Sequence, residues 1–173
     1  SLVKDYSVDA NGDRAIQYNN GTTLNGVHYN STNKMFSYSI SFDRVNDLVN
    51  VSNSSSINNM QNFTFGAWVY PRSVGEGSQG RIFDKTGGSG FKRLQLADSL
   101  GNQFRATVET DGSTAIIDSD QDTVDFNQWQ LVVMTYDMPT KTLSLYKNGY
   151  LIASGTHTGT IHDDGLGYLI IGN

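Results

Sequence analysis

Apolar and polar residues alternate along most of this chain in short runs, and no stretch of convincing length keeps a helical period. The strongest alternation is Phe63-Thr-Phe-Gly-Ala-Trp-Val-Tyr-Pro71. Aromatic and β-branched residues suit a pleated strand. A period of two places Phe63, Phe65, Ala67 and Val69 on one face, and Thr64, Gly66, Trp68 and Tyr70 on the other. Both faces are fairly apolar, which predicts a central strand, ended by Pro71 because proline cannot donate to a ladder. A second long strand is expected over 128–136, with Trp129, Leu131 and Val133 sharing a face. Residues 35–42 alternate cleanly and put Phe36, Tyr38, Ile40 and Phe42 together. Shorter strands are expected at 27–29, 48–51, 81–83, 91–96, 104–109, 114–117, 143–146, 150–153 and 168–171, with a weak edge strand within 1–8. Polar, glycine-rich stretches at 19–26, 43–47, 52–61, 84–90, 98–102, 110–113 and 156–167 read as turns and loops. Lys147-Asn-Gly149 supplies an Asn-Gly hairpin turn.

Many short runs punctuated by 18 glycines, with abundant Asn, Ser, Thr and Asp, are the pattern of an all-β sandwich. At 173 residues the chain reads as one domain, 1–173, long enough for a real core. A formal net charge of −5 argues against nucleic acid, since no basic stripe is present. The one dense basic spot, Lys92-Arg93, reads as a solvated strand edge. Without cysteine there is no disulfide scaffold, thiol catalysis or Cys-ligated zinc. No stretch approaches the ~18 apolar residues of a membrane span, so membrane insertion is not expected, and no signal peptide is seen.

Several motifs have both a chemical and a plain reading. Gly75-Glu-Gly-Ser-Gln-Gly80 matches G-x-G-x-x-G, but a dinucleotide site needs that loop to open a helix, and a strand follows here. A mobile loop explains the same glycines. Ser89 is not in a nucleophile elbow, because Phe91 stands where glycine is needed. Asp118, Asp120 and Asp122 alternate, so on an extended chain they share a face and form a candidate calcium set; the plain reading is an acidic loop. Asp9-Ala-Asn-Gly-Asp13 poses the same choice and fails as an EF-hand loop. His157 with His162-Asp-Asp164 offers metal-ligand types in an ordinary polar loop. Sequons begin at Asn20, Asn30, Asn50, Asn53 and Asn62, which in a eukaryotic secreted protein would mark surface positions.

Four stretches, in order, resemble the laminin-G-like jelly roll of the concanavalin A-like lectin and glucanase superfamily. They are Ser39-Ile-Ser-Phe-Asp43 with Asn46-Asp-Leu-Val49, the Phe63–Pro71 strand, Asn127-Gln-Trp129 with Thr135-Tyr-Asp137, and Leu145-Tyr-Lys-Asn-Gly149 followed by Ile170-Ile-Gly-Asn173. The resemblance implies an antiparallel two-sheet jelly-roll β-sandwich. Arg44 stands where the family has glycine, and Gln130 where histidine is common. Family members usually continue beyond the segment like 170–173 to a closing strand. The expectation is therefore a fragment of a larger protein, or a partner chain capping the open C-terminal edge.

The superfamily's glucanases use closely spaced carboxylates, because glycoside cleavage needs two of them across one bond. Here the only glutamates are Glu76 and Glu109, and Glu109-Thr-Asp111 lacks a further acid at the right spacing. A non-catalytic binding module is expected instead, for carbohydrate or a protein surface, belonging to a secreted, cell-surface or virion-surface protein. Aromatic rings suit the apolar faces of sugars, and amides and carboxylates suit their hydroxyls. The candidate ligand-binding residues are Tyr70, at a strand end beside the 75–80 loop, with Glu76, Gln79 and Asp111. Pentraxins, distant relatives, carry an acid–amide calcium pair at positions that look like Gly77-Ser78 here, which departs from that pattern. Calcium is the one cofactor considered. The alternatives are a protein-interaction or structural module and a glycosidase-like enzyme.

Overall fold

The computed structural model describes residues 3–8, 14–19, 21–35, 38–87, 90–97, 101–161 and 167–172. The strands are β1 (Val3–Val8), β2 (Arg14–Asn19), β3 (Gly21–Leu24), β4 (His28–Asn30), β5 (Ser39–Ser41), β6 (Leu48–Val51), β7 (Phe63–Val69), β8 (Arg81–Thr86), β9 (Lys92–Ala97), β10 (Gln103–Glu109), β11 (Thr114–Asp118), β12 (Gln130–Asp137), β13 (Thr142–Lys147), β14 (Tyr150–Thr156) and β15 (Tyr168–Ile171). A seven-stranded sheet runs β11-β10-β9-β8-β15-β6-β3, and a four-stranded sheet runs β14-β13-β12-β7. β1 with β2 and β4 with β5 form two further, separate two-stranded antiparallel sheets. Every pairing is antiparallel. This is the two-sheet antiparallel β-sandwich expected from the residue pattern.

Alternation decides which side chains meet between the sheets. The large sheet sends in Leu94 and Leu96 from β9 and Phe104, Ala106 and Val108 from β10. The small sheet answers with Val132, Met134 and Tyr136 from β12 and Leu143 and Leu145 from β13. Phe63 of β7 stacks on Tyr136, with ring centroids 5.9 Å apart, and Phe65 meets Phe83 of the facing sheet at 5.4 Å. A smaller cluster of Val51, Ile57 and Leu169 fills the β6–β15 side. Asn148 and Gly149 both take positive φ (51° and 87°) in the β13–β14 hairpin, as the Asn-Gly signal predicts.

Several expectations need correction. β7 lies at the edge of its sheet among the described strands, paired only with β12. Its second apolar face is an outer surface, with Trp68 42% exposed. Trp129, Leu131 and Val133 do share a face, as expected, and it is the outer one, since Gln130, Val132, Met134 and Tyr136 of β12 are buried. Lys92 is not solvated but fully buried in the β8–β9 ladder, and Arg93 pairs with buried Asp84. The turn read at 84–90 starts later, because β8 extends to Thr86. Part of the 19–26 loop is strand β3, and the 35–42 run yields only three strand residues. Gln130 uses its amide to clamp the preceding loop: Nε2 donates to the Asp125 carbonyl at 2.6 Å, and Oε1 accepts the Asp125 N–H at 3.3 Å. The expectations at 9–13, Asn20, Phe36, Ser89 and 162–164 lie outside the described residues.

His157 gives the fold a pH dependence. Its Nε2 is buried without a partner among the described residues, and burial holds the imidazole below its ordinary value of 6.5. The unfolded chain then binds a proton near pH 6.5 that the folded chain refuses. Stability should therefore fall as pH drops below about 6.5, until the folded site itself protonates. In thermal melts between pH 7.5 and 5, His157→Gln should lose less stability on acidification than the parent chain. Parallel losses would refute this assignment.

Candidate functional site

The ladder between β7 and β12 ends at Gln130 opposite Val69, which leaves Tyr70 and Trp129 facing each other one step beyond it. Their rings pack 5.5 Å apart at 60°. The Asn127 N–H donates to the Pro71 carbonyl at 2.8 Å and ties the two chain ends together there. These rings, with Trp68 on the outer face of β7, form one wall of a cavity of about 760 Å³. That size falls in the range of small-ligand sites.

The opposite wall comes from β4, β5 and the chain between and just after them: His28, Asn30, Asn33, Ser39 and Ser41, with Tyr38 and Phe42. Asn30 shapes this wall by accepting the N–H groups of Thr32 and Asn33 at 2.8 and 2.9 Å. Phe42 lies against Gly172, where a Cβ would sit 2.2 Å from the ring, so only glycine admits this packing. The 43–47 turn is locked by two carboxylates. Asp47 accepts the Asp43 N–H at 3.0 Å, and Asp43 accepts those of Val45, Asn46 and Asp47 at 2.8–3.4 Å. Those backbone bonds, with Val45 the largest, hold the Asp43 carboxyl below its usual range. The turn presents Arg44 to the cavity at φ 73°.

Arg72 and Arg81 complete the mouth. Arg81 is anchored through Nε to Asp84 at 2.9 Å. Among the described residues, three arginines therefore line the cavity against a single carboxylate, Asp43.

The sequence candidates divide. Tyr70 is in the wall. The neck of the 75–80 loop lines the cavity through Gly75 and Gly80, which cross so closely that a Cβ on Gly75 would lie 2.3 Å from the Gly80 Cα. That crossing leaves Glu76 and Gln79 exposed at the tip, off the lining. Asp111 is also off the lining, accepting the Thr160 N–H at 2.6 Å. Asp118 gives both oxygens to Arg105, at 2.6 and 2.9 Å, and Asp122 accepts from Asn102 Nδ2 at 3.1 Å. Asp120 is exposed. Among the described residues, no three acidic or histidine side chains group as a metal ion would need. Trp68, Trp129, Arg44 and Arg72 were not singled out by sequence reasoning. The available signal was a tryptophan on the second face of the 63–71 strand, a face the residue pattern reads as apolar and therefore buried.

A laminin-G-type model, described as the concanavalin A-like lectin/glucanases superfamily, matches residues 43–173. The chain belongs to this superfamily. No curated protein matches it. Solved structures share the fold at low identity. The binding domain of Paraclostridial Mosquitocidal Protein 1 has a TM-score of 0.66 at 15% identity, over 96% of this chain and 46% of that one. Domain 4 of AbnA, an extracellular GH43 arabinanase from Geobacillus stearothermophilus solved with arabinotriose, scores 0.63 at 12% identity, over 87% of this chain and 72% of that domain. The CBM40 of Ruminococcus gnavus IT-sialidase, bound to α2,3-sialyllactose, scores 0.54 at 15% identity, over 70% and 73%. This chain thus spans about half the length of the toxin chain. No helix among the described residues is long and apolar enough to cross a membrane.

Proposed function

We propose that this domain is a non-catalytic carbohydrate-binding module and that its sugar lies in the cavity walled by Trp68, Tyr70 and Trp129. One observation carries the reading: both tryptophans of the chain line the same cavity, opposite Asn30, Asn33, Ser39 and Ser41. Rings stack on the apolar faces of sugars, and amides and hydroxyls on the other wall pair with sugar hydroxyls. The arabinotriose and sialyllactose complexes of two structural neighbours support the same class of ligand. Sugar binding also fits a secreted or surface-displayed parent protein.

Because the chain holds two tryptophans and both face this cavity, their fluorescence reports it alone. Titration with a panel of neutral and acidic oligosaccharides should give saturable spectral changes for at least one member. The change should be equal in calcium and in chelator, since among the described residues a single carboxylate lines the cavity. A panel-wide absence of response would refute the reading.

A second reading has its own observation. The outer edge of β7 carries no partner among the described strands, and an extended segment of another protein could add there. In that case a peptide rather than a sugar would be the ligand.

A further inference from the structure

We infer that the cavity takes an acidic saccharide, whose carboxylate or sulfate is gripped at Arg44 and Arg72; this rests on the sugar-binding reading above. The chain as a whole carries −5, yet among the described residues its cavity is lined by Arg44, Arg72 and Arg81 against Asp43. One oxygen of Asp43, Oδ1, accepts three backbone N–H groups of its own turn. Arg81 is held by Asp84. Arg44 and Arg72 are both exposed, and neither forms an ion pair or side-chain hydrogen bond among the described residues. Lys34 is off the lining, but its Nζ lies 5.8 Å from the centroid of the Tyr38 ring, which lines the cavity.

The backbone makes an independent case. Arg44 sits at φ 73°, a conformation that glycine adopts freely and a side chain adopts under strain. A strained position beside a cavity, filled by a long cation with nothing to bind within the described structure, points to use of that side chain on a ligand. The planar guanidinium donates two parallel N–H groups, which match the paired oxygens of a carboxylate or sulfate. A neutral sugar offers no such anion.

The test uses the whole chain and matched probes: lactose against sialyllactose and sulfolactose, and xylooligosaccharide with and without a terminal uronic acid. Calorimetry at low salt should show at least a tenfold preference for the acidic member of a pair, shrinking as salt is raised. Sialyl or uronic preference alone would identify a carboxylate, and sulfolactose binding as well would identify anions generally. Arg44→Gly should bring the acidic-to-neutral affinity ratio close to one, while leaving the melting temperature equal or higher because glycine relaxes the turn. Arg44→Lys, which keeps the charge but not the fork, should retain part of the preference. Neutral members bound as tightly as acidic ones would overturn this inference and leave the sugar reading standing. A preference that survives Arg44→Gly combined with Arg72→Gln would also overturn it. Failure of every probe to bind would defeat both.

Discussion

Replacing Phe104 by alanine is expected to cost about 3–5 kcal/mol of stability, the range for truncating a buried aromatic that leaves a cavity. Phe104 is fully buried at the centre of the inter-sheet cluster, on a strand hydrogen-bonded on both sides. Its backbone is pinned as well. The Phe104 N–H donates to Ser119 Oγ at 3.0 Å, and its carbonyl accepts the Ser119 N–H at 2.9 Å, so the strand cannot easily shift to fill the void. Domains of this size are stable by roughly 5–15 kcal/mol in total, so the variant should sit near the threshold of folding. The melting temperature should drop by roughly 6–20 °C, using about 2–4 °C per kcal/mol. Ile116→Ala is the control. That side chain is 48% exposed on β11 and should change stability by no more than about 0.5 kcal/mol. Similar losses for the two variants, by denaturant titration, would contradict the assignment of the core.

Trp68→Ala should have the largest effect on binding: an affinity loss of at least about tenfold, or roughly 1.4 kcal/mol, with the fold intact. Trp68 points outward from an edge strand at 42% exposure, so little of the inter-sheet core depends on it. It nevertheless forms much of the apolar wall that a sugar face would cover. Trp129 is a less clean probe, because its ring also supports Tyr70 at 5.5 Å. Calorimetry with a sugar that binds the parent chain checks affinity, and a thermal melt checks the fold. Unchanged affinity in a folded Trp68→Ala variant would remove this wall from the site.

The strands that build the core were legible because their inward faces alternate cleanly. Leu48–Val51 and Tyr168–Ile171 fall where the pattern puts them, and the others shift by a few residues at most. Strands β2 and β3 were not legible. Gly21–Leu24 is largely exposed at the sheet edge and has no apolar face to signal itself. Buried Lys92 was unreadable for another reason: its surroundings are set by pairing with Lys85 on a neighbouring strand, which local sequence does not reveal. The cavity was legible only at Tyr70. Its other walls come from residues 28–44, 67–82, 96, 129 and 171–172, which the sandwich topology brings together from distant parts of the chain. The apolar outer face of β7 was visible in the sequence, but it was read as burial between neighbours when it is the wall of a cavity.

The most direct test is an NMR titration that follows the two indole N–H resonances, of Trp68 and Trp129, as an oligosaccharide from the panel is brought to saturation. The account requires both resonances to move along one saturable curve, with the Trp68 signal assigned through Trp68→Ala. Saturation of the protein by the sugar with both indole signals unmoved would place binding elsewhere and contradict the account.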